Sequence, residues 1–312
     1  MKNLFLFVLL QCICLQGWSQ YFSGDITYTV KIIPKDKNLN VDSILNLQPG
    51  TTSLYSITNG FYKSTYFKND EFTYSYTYDN ATKRMYDEQA GKEYITFRDS
   101  RKGNNIRIRS IPYKDSIKVI AGYKSFMVER VYEGYISKIY YATDLRIDPE
   151  SFKDHAVGDW YNQIKEMDGA VSLGSVNEYA THYEVHEVTK VNARPLSPAD
   201  FALPNKLIAA SESALDKPAG IEPLSKDEIE CYRQKVSLAM EDLSIEGFRS
   251  YTQFIISDAG EVNYIEPYEE DEYGLFKVAI DIISSCGIKF KPGQIAGKPM
   301  NTLVYFPIDF AK

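Results

Sequence analysis

Apolar and polar residues alternate with a period of two through most of this chain, and that rhythm restricts the fold more than any other feature. Over residues 22–201 it appears in short runs, among them Ile26-Thr27-Tyr28-Thr29-Val30, Phe72-Thr73-Tyr74-Ser75-Tyr76-Thr77-Tyr78 and Ile106-Arg107-Ile108-Arg109, with longer ones over 123–131 and 183–191. Extended backbone points successive side chains to opposite faces, so each run buries one face and wets the other, as strands of an antiparallel sheet do. Asn59-Gly60, Gly103-Asn104 and Glu133-Gly134 supply turn residues at hairpin spacing. A load of 25 Tyr and 16 Phe favours strands further. One helical interruption is predicted over 149–164, where Pro149 suits a first turn and Phe152, Trp160 and Ile164 share a face. Residues 20–204 are therefore expected to form one antiparallel, β-rich domain around a meandering sheet.

The chain opens with Lys2, an apolar run Leu4-Phe5-Leu6-Phe7-Val8-Leu9-Leu10 and the small-residue frame Gly17-Trp18-Ser19. Charge, apolar core and cleavage frame in that order make residues 1–19 a secretory signal peptide, cut after Ser19. The apolar stretch ends near Leu15 and falls short of the roughly 20 residues that span a bilayer. Cys12 and Cys14 raise the alternative of a lipid anchor, but Gln11 and Ile13 before them are poor small-residue positions for that processing. The expected location is the periplasm or the periplasmic face of the outer membrane. Loss of Lys2 with the leader leaves 34 of the 35 basic residues against all 42 acidic ones, a net charge near −8. This balance argues against nucleic acid and against flat binding to anionic lipid. Cys231 and Cys286 remain after processing, and an even pair in an oxidising compartment fits either a bridge or two buried thiols.

Over residues 205–224 the composition turns to Pro, Ala, Ser and Gly, as in Ala209-Ala210-Ser211-Glu212-Ser213-Ala214 and Lys217-Pro218-Ala219-Gly220, which predicts a linker or an arm across a surface. Ser225 with Glu228 three residues on forms a capping box that opens a helix through about Met240. Further on, Phe254 and Ile256 mark one face of a strand and Asp258-Ala259-Gly260 reverses the chain. Val262, Tyr264 and Glu266 continue a partner strand. Leu275, Phe276, Val278, Ala279, Ile282 and Ile283 follow helical spacing that Gly287 stops, and Pro292, Gly293 and Gly297 turn the chain before a last strand over 302–310. The whole reads as α+β, a β-rich domain followed by a helix-on-antiparallel-sheet domain over 225–312.

The ordered series Glu246-Gly247, Tyr251-Thr252-Gln253-Phe254-Ile255-Ile256, Asp258-Ala259-Gly260, Phe290-Lys291-Pro292-Gly293, Gly297-Lys298-Pro299 and Pro307-Ile308-Asp309-Phe310 resembles the TonB carboxy-terminal domain. The resemblance implies capture of an extended segment of an outer-membrane or periplasmic protein by strand addition, with Thr302, Val304, Phe306, Ile308 and Phe310 as partner-binding residues. Energy transducers of that family also carry an amino-terminal membrane helix and a long proline-rich spacer, and neither is expected here, so the chain should bind without transmitting force. The amino-terminal region resembles the half-barrel sheet of lipoprotein carriers, on Gly24-x-Ile26-x-Tyr28, Ile120-Ala121-Gly122-Tyr123-Lys124, Tyr140-Tyr141-Ala142-Thr143-Asp144-Leu145 and Phe201-Ala202-Leu203-Pro204. That implies an apolar cleft for a lipid or acyl chain, against the alternative of a filled core.

Motifs for chemistry are sparse. His182, Glu184 and His186 alternate along one strand and could present two imidazoles and a carboxylate to a metal, or else form a polar strand face. The acidic run over 266–272 lacks the ligand spacing and central glycine of a calcium loop and reads as a solvated turn. There is no nucleophile elbow, phosphate loop or dinucleotide fingerprint. The expectation is a binding or adaptor protein without cofactor and not an enzyme, with a lipid carrier and a metal-dependent enzyme at His182 and His186 as the alternatives.

Overall fold

The computed structural model describes residues 21–103, 108–243, 248–268, 271 and 273–310. The predicted leader, Asn104 and Ile106-Arg107 of the expected run lie outside these residues. In chain order the strands are β1 (Gly24–Pro34), β2 (Thr52–Thr58), β3 (Phe61–Lys68), β4 (Glu71–Asp79), β5 (Arg84–Gln89), β6 (Tyr94–Asp99), β7 (Arg109–Ile120), β8 (Tyr123–Tyr132), β9 (Tyr135–Arg146), β10 (Ala170–Glu178), β11 (His182–Ala193) and β12 (Leu207–Ala210). They continue as β13 (Gly220–Ile221), β14 (Phe248–Ile256), β15 (Val262–Pro267), β16 (Phe290–Lys291), β17 (Gly293–Ile295), β18 (Lys298–Met300) and β19 (Thr302–Phe310). The helices are α1 (Val41–Leu47), α2 (Trp160–Glu166), α3 (Lys226–Leu243) and α4 (Leu275–Ser285). No helix among the described residues is long and apolar enough to cross a membrane.

Two compact units interleave along the chain: one takes Met1–Asp70, Asn105–Lys153 and Gly158–Phe201, the other Glu71–Asn104, Asp154–Val157 and Ala202–Lys312. A single boundary near residue 204 therefore does not separate them.

The first unit is an antiparallel sheet in the order β3-β2-β1-β11-β10-β9-β8-β7. Its end strands β3 and β7 do not pair with each other, so it is an open sheet and not a closed barrel. Asn59-Gly60 and Glu133-Gly134 sit at the expected hairpin turns, and Ala121-Gly122, both at positive φ, close the β7 to β8 hairpin. The helix predicted over 149–164 divides into a 3-10 turn at Pro149–Phe152, a second at Val157–Asp159, and α2. Positive φ at Gly158 and Asp159 explains the break, because a right-handed helix cannot run through left-handed residues. Trp160 packs on Tyr55 and Tyr62, and Tyr62 on Phe152, while Ile164 and Met167 are buried.

The second unit has the order β15-β14-β19-β12-β6-β5-β4. Pairing is antiparallel except at β12, which lies parallel to both β6 and β19. The segment expected to be a linker is thus in part a sheet strand. Ala209 and Ala210 are fully buried, and their small side chains let the sheet close over both faces. Ser225 and Glu228 form the expected reciprocal cap, at 2.6 and 3.2 Å, and open α3. Helices α3 and α4 cover one sheet face around Phe254, Ile256, Phe306 and Ile308. Cys231 of α3 and Cys286 at the end of α4 are joined in a disulfide, with Cα atoms 5.6 Å apart.

Candidate functional site

Strand β19 is bordered on one side by β14 in unbroken antiparallel register from Thr302↔Ile256 to Phe310↔Phe248. On its other side β12 meets it at one residue, Ala210 opposite Thr302. The Ala210 N–H donates to the Asn301 carbonyl at 2.7 Å, which fixes the phase of the strand. Backbone groups alternate in direction, so Leu303, Tyr305, Pro307 and Asp309 present theirs toward the β12 side and the even-numbered residues toward β14. Pro307, which has no N–H, falls where no donor is needed, as edge prolines do. At Asp309 the backbone N–H meets the Tyr232 hydroxyl of α3; burial raises that phenol's pKa and this hydrogen bond partly offsets the rise. Between Ala210 and Tyr232 a rim of β19 runs past the end of β12 with no partner strand among the described residues. Its groups are the Tyr305 N–H and the carbonyls of Leu303, Tyr305 and Pro307.

This phase corrects the side chains expected to meet a partner. Thr302, Phe306 and Ile308 are buried and Val304 packs against the same helix-covered core, so their side chains are committed to the interior. The side chain of Phe310 lies outside the described residues. The alternate set faces away from the helices, and there Tyr305 is 46% exposed. Leu303 and Tyr305 join Asp87, Gln89, Lys92, Tyr94, Thr96, Gln253, Pro267 and Tyr268 around a cleft of about 310 Å³. Tyr268 and Tyr305 meet edge to face with centroids 4.8 Å apart.

One wall of the cleft is held by Glu266 on β15, which accepts hydrogen bonds from Lys92, from the Tyr94 hydroxyl and, at 2.7 Å, from Gln253 Nε2. Burial pushes the Glu266 carboxyl up, but the three donors outweigh it and hold its pKa below the usual carboxylate value. Asp271, in the acidic run over 266–272, caps α4, accepting the N–H groups of Leu275 and Phe276 at 2.7 Å each.

On the first unit, Glu184 is buried and committed to protein donors: His186 Nε2 lies 2.7 Å from Oε1, Asn177 Nδ2 donates to Oε1 at 3.1 Å and Gln48 Nε2 to Oε2 at 2.7 Å. His182 stacks on Tyr179, with centroids 4.7 Å apart, and its Nδ1 lies 3.0 Å from Thr181 Oγ1. No metal-holding group of His, Cys, Asp and Glu occurs among the described residues. His155 belongs to the second unit, stacked on Tyr78 at 4.2 Å, and burial pushes its imidazole down to about 3.

No family model matches the chain, and no curated protein does. Among solved structures it is similar to PNGF-II, at 11% identity and a TM-score of 0.38, over 93% of this chain and 61% of that one. It is also similar to LprF from Mycobacterium bovis, at 10% identity and a TM-score of 0.24, over 56% of this chain and 88% of that one. Both superpositions fall below the level at which a shared fold is shown.

Proposed function

We propose that this is an exported adaptor of the cell envelope that docks an extended segment of an outer-membrane or periplasmic protein on the rim of β19, without catalysis and without transducing energy. The observation that carries the reading is that rim. β19 continues beyond the four residues of β12, and its backbone groups between Ala210 and Tyr232 have no strand to pair with among the described residues. An unpaired sheet edge is a template for strand addition, in which main-chain hydrogen bonds supply affinity and alternate side chains supply choice. The alternate side chains of an added strand would lie in the cleft beside Tyr94, Tyr268 and Tyr305, whose rings offer broad contact at low entropic cost. Resemblance of residues 225–312 to the TonB carboxy-terminal domain agrees with this mode. The Cys231 to Cys286 bridge agrees with an oxidising compartment.

The test removes one donor from the rim. Tyr305→Pro deletes the outward N–H and leaves the even-numbered pairing with β14 untouched, whereas Tyr305→Val keeps the N–H and loses the ring. The whole mature chain serves as bait in envelope extract, because the second unit needs residues 71–104 to be complete. Wild-type bait should recover an outer-membrane or periplasmic protein. With a hydrogen bond worth about 1 kcal/mol, Tyr305→Pro should cut capture roughly fivefold below Tyr305→Val. Equal capture by both variants, or no reproducible capture by wild type, would overturn docking at this rim.

A further inference from the structure

The cleft beside Tyr305 opens on the face of the second unit's sheet that turns away from α3 and α4, and strands from both halves of that sheet supply it. β5 and β6 contribute Asp87 opposite Thr96, and Gln89 follows Asp87 by two residues and so shares its face. β14 and β19 contribute Gln253 opposite Tyr305. All of these line one cavity of about 310 Å³, at the small end of the roughly 300–1,000 Å³ of ligand pockets.

The charges at this cleft are already matched within the unit. Asp87 Oδ1 accepts from Arg98 Nη2 at 3.1 Å and from the Tyr74 hydroxyl, and Lys92 is paired with Glu266. What is left for a ligand is hydrogen-bonding capacity of both kinds. Gln253 Nε2 donates to Glu266 at 2.7 Å and to the Tyr94 hydroxyl at 3.3 Å, which leaves the amide oxygen as an acceptor. Asp87 Oδ2, the Gln89 amide and the Thr96, Tyr268 and Tyr305 hydroxyls likewise have no partner among the described residues. None of these atoms is sealed from solvent, so a ligand in the cleft can reach them.

Aromatic rings complete the wall. The planes of Tyr268 and Tyr305 stand 74° apart, so the two rings meet as a corner beside the polar groups. An apolar ligand would leave those groups buried without partners, at about 1–3 kcal/mol each, and an ion would find the charges already compensated. A neutral sugar suits both parts of the wall. Its hydroxyls donate and accept around the rim of the ring, and its C–H groups present an apolar face to an aromatic one. We infer that this cleft is a subsite for a neutral carbohydrate, one hexose unit of a glycan, seated in the corner of Tyr268 and Tyr305 with its hydroxyls on Asp87, Gln89, Thr96 and Gln253. The inference does not rest on docking at β19, since it uses side chains of the cleft and no backbone group of the rim.

The test uses the chain from residue 20 onward, with the methyl glycosides of glucose, galactose and mannose as probes and argininamide as a cationic control. Saturation-transfer NMR reads the ring C–H protons of each sugar across a concentration series. Wild type should give saturable transfer to at least one glycoside. Tyr268→Ala, at a half-exposed position, should weaken that binding about fivefold, as the loss of one stacking contact predicts. Gln89→Ala combined with Thr96→Val removes two free polar groups, spares the rings and the rim, and should lose most of the transfer. Unchanged titrations in both variants would overturn the assignment, as would a response to argininamide alone or no saturable transfer to any of the three glycosides. Should the double variant fail to fold, Gln89→Ala alone, on an exposed side chain, stands in for it. Protein capture from envelope extract is measured beside it: a wild type that captures a protein but takes no glycoside refutes the sugar site alone, and one that takes a glycoside but captures nothing refutes docking alone.

Discussion

Replacing both bridged cysteines, as Cys231→Ala with Cys286→Ala, should destabilise the second unit and spare the first. The bridge closes a sequence separation of 55 residues and ties α3 to the end of α4. In the chain-entropy account a loop of that length, open again in the unfolded ensemble, is worth about 4 kcal/mol at 25 °C. The nearby Lys235 to Asp281 ion pair cannot compensate, because its carboxylate is half exposed and such pairs contribute about 0–1 kcal/mol. For a unit of roughly 150 residues, each kcal/mol moves the melting temperature by about 2–4 °C, so a fall of about 8–16 °C is expected. In protein prepared from residue 20 onward, Trp160 is the remaining tryptophan and lies in the first unit, so its fluorescence follows that unit while far-ultraviolet circular dichroism follows both. Urea titration of the variant should show an earlier transition by circular dichroism and an unshifted one by fluorescence. A loss below about 1 kcal/mol, or a shift confined to the Trp160 signal, would refute the reasoning.

His155 gives a pH dependence. Its folded pKa of about 3 lies below the unfolded value near 6.5, so its contribution is complete above pH 6.5 and is lost as pH falls toward 3. Between pH 6.5 and 5 the loss should be about 2 kcal/mol in urea titrations, and His155→Phe, which keeps a ring against Tyr78, should flatten that slope. An identical slope in the variant would reject His155 as its source. Gly169 has φ +76°, and a Cβ there would sit 2.1 Å from the Ile147 carbonyl oxygen, whereas at Gly91, φ +75°, it would meet nothing within 4 Å. Gly169→Ala should therefore cost clearly more than the roughly 1 kcal/mol of backbone strain expected for Gly91→Ala, and equal thermal shifts would count against the clash.

Much of the sheet was legible because period-two alternation is a local signal. The Ser225 box and the apolar spacing of α4 were legible for the same reason. Strand β12 was not, since Leu207-Ile208-Ala209-Ala210 has no alternation; a short continuous apolar run is nevertheless what a strand buried on both faces looks like, and that signal was available. Assignment of β4, β5 and β6 to the second unit depends on a parallel partner far along the chain, which alternation does not encode. In β19 both phases are apolar, Leu303-Tyr305-Pro307 and Val304-Phe306-Ile308, so the pattern could not say which faced the helices.

The interleaving of the second unit sets an order on its biogenesis. Tyr94 bonds to Glu266, 172 residues later, and β6 waits for both β12 and the strands beyond it. Contacts of such long range are made late, so during synthesis the early hairpins of this unit stay without their neighbours until β19 emerges. Through that interval the exposed side of β6 is open to aggregation and to proteases, and a chain shortened before β19 would remain there.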